Sequence, residues 1–203
     1  MPLWAKACGW VAAGVGISSM LTNLRAIMRV RSARGVSFGT WGLSALANYA
    51  WIAYAWTILS PTLMVANTLQ LLYNVPLTWL KLSERSRAFA VGGLIACAAY
   101  LALMLELAHI HAWWPTIIAT PTGLSIAIPQ IVYVMRKGRG PGVSVLGWGL
   151  AAVSAALWLT YGIAGSYGPI ILNAGIQTCL MITAVTVLMV KGPSDPGLIP
   201  YEA

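Results

Sequence analysis

Apolar residues fill the chain in seven long runs, at roughly 4–28, 38–59, 62–81, 87–108, 113–135, 143–164 and 168–190, with short polar or basic breaks between them. A helix of about 20 residues crosses a bilayer. Each run therefore predicts a transmembrane helix, and interior Gly and Pro do not count against it. The fold class expected is an all-α membrane protein.

The breaks carry a charge pattern. Arg29, Arg31 and Arg34 follow the first run, Lys81, Arg85 and Arg87 bracket the break after the third, and Arg136, Lys137 and Arg139 follow the fifth. Lys191 follows the seventh, while the alternate breaks at 59–62, 109–113 and 165–168 hold no Lys or Arg. Cytoplasmic loops hold the basic residues of membrane proteins. The expected topology is thus N-terminus outside and C-terminus inside, in the plasma membrane. Lys6 alone lies on the other side.

The pattern also repeats. The stretch from Gly16 to Tyr54 returns at Gly123 to Tyr161 without a gap, 107 positions on, with about a third of positions identical. Gly35-Val36-Ser37 matches Gly142-Val143-Ser144, Trp41-Gly42-Leu43 matches Trp148-Gly149-Leu150, and Trp51 and Tyr54 match Trp158 and Tyr161. The predicted organisation is two parallel three-helix repeats joined by a linker helix (3+1+3). The first repeat is 1–82, the linker 83–111 and the second repeat 112–192, with a cytoplasmic tail at 193–203. Membrane transporters are often built from such repeats, with the substrate site between them.

Composition narrows the function classes. Of 203 residues, 59% are apolar and 8% charged, against about a quarter charged in soluble domains. The net charge of +8 lies between apolar runs, so a lipid bilayer rather than nucleic acid is the expected partner. Cys8, Cys97 and Cys179 have neither disulfide-framework nor metal-ligand spacing. The N-terminal run is too long for a cleavable signal peptide. No nucleophile–base constellation, metal cluster or phosphate loop stands at membrane depth, so no enzyme, metal or cofactor is expected. His109, His111, Trp113 and Trp114 read as interfacial loop residues, and Trp56 as part of the aromatic belt.

Polar side chains within a membrane need partners and mark pathways. Asn67, Gln70 and Asn74 share one face of the third helix, and Asn173 and Gln177 one face of the seventh. Such amides also join helices to one another. Asn67 and Asn173 both fall mid-span, one residue out of register, which requires a one-residue length difference in the preceding loop. Asn48 shares a face with Trp51, and Ser154 with Trp158. A flat aromatic face beside amides that donate and accept suits a small polyhydroxylated molecule. Tyr54 and Tyr161 lie one turn further out, where they would close the exterior side. Pro129-Gln130 in the fifth helix predicts a kink that can act as a hinge; the matching positions in the first copy are Thr22-Asn23.

Taken together these residues resemble the SWEET and SemiSWEET sugar facilitators of the PQ-loop superfamily, over nearly the whole chain. The shared helix faces offer Asn48, Gln70, Asn74, Ser154 and Gln177 as further lining beside the substrate contacts implied by the resemblance, which are Trp51, Trp158, Asn67 and Asn173. The resemblance implies an outer gate at Tyr54 and Tyr161 and a hinge at Pro129 and Gln130. Prolines found in each gating helix of eukaryotic members are missing from helices 2 and 6. Without a carboxylate mid-membrane, the expectation is uniport of a mono- or disaccharide by alternating access. A homo-oligomer is compatible with this but not required. The alternatives are a PQ-loop carrier of another metabolite, such as a nucleoside, vitamin or amino acid, and a receptor that does not transport.

Overall fold

The structure is a computed structural model that describes residues 1–30, 38–83, 87–138 and 143–191. These residues form the helices α1 (Leu3–Val30), α2 (Phe38–Thr57), α3 (Pro61–Ser83), α4 (Arg87–Ile110), α5 (Trp114–Lys137), α6 (Val145–Gly165) and α7 (Gly168–Lys191), with no strand among them. Each apolar run is thus one helix. Val91–Ile110 of α4, together with α6 and α7, are long and apolar enough to cross a membrane by length and composition, the mark of a membrane protein.

Burial follows the logic of a lipid solvent. The buried positions are mostly small, among them Ala5, Ala12, Ala50, Ala53, Ala119 and Ala127, whereas Leu72, Ile95, Leu146, Leu172, Met189 and Val190 are exposed. Lipid tails are as apolar as leucine, so hiding large side chains gains little. Small ones let helix backbones approach and gain dispersion and hydrogen bonds.

Two compact units result, one from Met1–Gly35 with Ala127–Ala203 and one from Val36–Ile126. In the first, α1 packs against α6 and α6 against α7. Three hydrogen bonds define an antiparallel α1–α6 seam. Cys8 Sγ donates to Leu157 O at 3.5 Å, Ser154 Oγ to Ala12 O at 2.9 Å, and Ser19 Oγ to Gly147 O at 2.7 Å. A Cβ on Gly16 would stand 3.0 Å from Ser154 Oγ, so glycine is what admits this approach. In the second unit, α2 packs on α3 and α4, and α3 on α4. Packing and repeat therefore divide the chain differently, since α1 stands with α6 and α7.

The hairpins α2–α3 and α6–α7 close with the same turn. Leu59 (φ 50°) and Ser166 (φ 54°) are both left-handed and lie 107 residues apart. Ser60 N donates to Ala55 O at 3.0 Å and Leu59 N to Trp56 O at 3.3 Å. In the second copy Tyr167 N donates to Gly162 O at 2.9 Å and Ser166 N to Ile163 O at 3.1 Å. This is a Schellman closure, which satisfies carbonyls that the helix end leaves open. The next helix begins alike, with Met64 N on Ser60 O and Ile171 N on Tyr167 O. At the start of α6, Ser144 Oγ accepts from Gly147 N at 3.1 Å. The serine of the second Gly-Val-Ser is therefore an N-cap. Gly35, Val36, Ser37 and Gly142 lie outside the described residues.

Gly162 tests the close packing of α6 on α7. A Cβ there would meet Ile170 Cγ2 at 3.0 Å and the Ile171 backbone nitrogen at 3.1 Å, whereas one at Gly14 meets nothing within 4 Å. Gly162→Ala is expected to destabilise by about 1–3 kcal/mol. Gly14→Ala, mid-helix in α1, is expected to be neutral or to stabilise by up to about 1 kcal/mol. Thermal unfolding of both variants in detergent checks the contrast.

Candidate functional site

The shared turn sets the register of each hairpin, and the register sets depth. In the first hairpin Asn74 Nδ2 donates to Ser44 Oγ at 2.8 Å. Counting outward from that bond puts Trp51 level with Asn67. In the second, Gly162 lies against Ile170 and Gly175 faces Leu159. Trp158 then stands level with Ala174 to Ile176, between Asn173 and Gln177. An indole thus shares a level with an amide in the first hairpin and stands between two amides in height in the second.

The aromatic pairs are matched in geometry. Trp51 and Tyr54 meet edge to face at 5.8 Å and 78°, and Trp158 and Tyr161 at 5.3 Å and 83°. Edge-to-face packing is a favoured arrangement of aromatic rings. Both tyrosines are buried, at 2% and 1% exposure, and Tyr167 packs on Tyr161 at 5.7 Å. Trp51 is buried and Trp158 half-buried. Tyr167, six residues after Tyr161, carries no repeat signal in the sequence, since its counterpart is Ser60.

The amides divide into engaged and open groups. Asn67 is buried, and its Nδ2 donates to Leu63 O one turn back at 2.7 Å. Asn74 is tied to Ser44, a partner that carries no motif of its own. Ser154, expected beside Trp158 as lining, instead spends its hydroxyl on Ala12 in the α1–α6 seam. By contrast Asn48 Nδ2, Asn173 Oδ1 and Gln177 Oε1 are buried atoms without a hydrogen-bond partner. Gln70 is partly buried. Unsatisfied buried amides are rare in native proteins and each asks for a reason.

One expectation needs correction. Pairing Asn67 with Asn173 required the two hairpin turns to differ by one residue, yet their hydrogen bonds keep the 107-residue offset through Met64 and Ile171. The position matching Asn67 is therefore Ala174, and the two asparagines sit about 100° apart around their helices. The amides that do match are Gln70 and Gln177.

Helix α5 runs unbroken through Pro129 and Gln130, whose side chains lie outside the described residues. At the α4–α5 junction, His111 Nδ1 accepts from Trp113 N at 3.2 Å, and Trp113 and Trp114 are exposed.

No protein-family model matches the chain, and no curated protein is detectably similar to it.

The Asn74–Ser44 bond is the cleanest structural amide contact. A double-mutant cycle of Asn74→Ala and Ser44→Ala is expected to show coupling of about 0.6 kcal/mol, the scale of bonds between membrane helices. Unfolding midpoints in mixed micelles measure it.

Proposed function

We propose that the chain is a facilitative transporter of small sugars, working by alternating access. The observation that carries this reading is the repeated edge-to-face pair, Trp51 with Tyr54 and Trp158 with Tyr161, each with an asparagine near its level, Asn67 in the first hairpin and Asn173 in the second. An indole face accepts the C–H side of a sugar ring, while the amides exchange hydrogen bonds with its hydroxyls. Buried Tyr54 and Tyr161 occupy the outer turn, where a gate belongs. The SWEET-like residues of the sequence point the same way.

The membrane plan goes with it. All seven helices span, in a 3+1+3 order of sequence, with the N-terminus outside and the C-terminus in the cytoplasm of the plasma membrane. Neighbours such as α1 and α6 run antiparallel, as a seven-span path demands of them. Glu106, exposed in α4, stands toward the outer end of its span. With no acid at mid-depth to carry a proton, sugar flux follows its own gradient.

Purified protein in liposomes is expected to take up radiolabelled glucose or sucrose saturably, with no response to an imposed pH gradient. Trp158→Ala and Asn173→Ala are expected to lower uptake at least tenfold, the scale of one lost recognition contact of about 1.4 kcal/mol. Asn67→Ala is expected to do less, because its amide is partly spent on Leu63. Folded protein that moves neither sugar overturns the reading and turns the search to nucleosides and amino acids. Pro129→Ala is expected to slow uptake more than it weakens binding, and equal losses would remove the hinge.

A further inference from the structure

We infer that Gln177 is a second recognition residue of the second hairpin, acting with Asn173 on two separate hydroxyl groups of one sugar. The inference rests on the sugar-transport reading above. Asn173 Oδ1 and Gln177 Oε1 are both buried and both lack a partner. They stand one turn apart on α7, a rise of about 6 Å. That is close to the span of hydroxyls on opposite sides of a hexose ring.

A merely structural role does not account for them. Other polar groups on these helices are satisfied: Ser154 on Ala12 and Ser19 on Gly147 across the α1–α6 seam, and Thr178, next to Gln177, within α7 on Ala174 O at 2.7 Å. Two adjacent open amides cost free energy in the empty protein. A ligand that presents two donors at their spacing removes that cost. The depth agrees, since Trp158 stands level with Ala174 to Ile176, between the two amides in height. The repeat agrees as well, because Gln177 is matched by Gln70 at the offset that the hairpin turns obey, whereas Asn173 has no such mate. The ligand class is thus a neutral polyol with at least two hydroxyl donors.

The test is binding to the full-length purified protein, followed by tryptophan fluorescence. The probes are glucose, galactose and sucrose with their monodeoxy derivatives. In the wild type, at least one deoxy derivative is expected to bind about tenfold more weakly than its parent. In Gln177→Leu the parent sugar is expected to weaken by a similar factor and that derivative to lose nothing more. Gln177→Met serves where the leucine variant does not fold. Tight parent binding in either folded variant, or additive losses from variant and deoxygenation, overturns the role of Gln177 and leaves the sugar reading standing. Wild-type protein that binds none of these sugars overturns both.

Discussion

The hydrogen bond that closes each hairpin, Ser60 N to Ala55 O and Tyr167 N to Gly162 O, is the constraint on which the candidate site depends. It forces one residue, Leu59 or Ser166, into the left-handed region, a conformation that costs about 1–2 kcal/mol for a residue with a Cβ. The return is a fixed register. Once the turn is set, a shift of one residue along either helix would break the Schellman pair and swing every side chain by about 100°. Depth and facing of the indoles and amides follow from the turn rather than from contacts among themselves.

A second constraint acts through the solvent. Within lipid, large apolar side chains gain little by facing inward, so the inner faces hold alanine, glycine, serine and amides. Close backbones then let a hydroxyl reach a carbonyl on the neighbouring helix, as Ser154 and Ser19 do along the α1–α6 seam. Each bond is worth well under 2 kcal/mol, but an unmet polar group has no water to turn to. This is why the open ends of Asn48, Asn173 and Gln177 carry more information than the satisfied ones. In such a setting an orphan amide is the exception.

Much of this was legible along the chain. Seven apolar runs became seven helices with ends within a few residues, because span length and apolar content are local properties. The repeat was legible from identities such as Trp51 with Trp158, and the two edge-to-face pairs carry it into three dimensions. The site was legible only in part. Residue type marked every amide as a candidate, but type does not say which are occupied. Asn74 needed Ser44, and Ser154 needed a carbonyl more than a hundred residues away; neither partner has a signature.

The sequence by itself determined that this is a chain of apolar helices in which the Trp-x-x-Tyr pattern occurs twice. Periodicity and identity are properties of neighbours in the chain, and no folding is needed to see them. Tertiary structure alone decided the rest. It put α1 with α6 and α7, because small-residue stripes find each other across space and not along the chain. It made Gln70 and Gln177, rather than Asn67 and Asn173, the repeat counterparts of the two hairpins, because backbone hydrogen bonds in the turns, not side-chain likeness, fix how each pair of helices aligns.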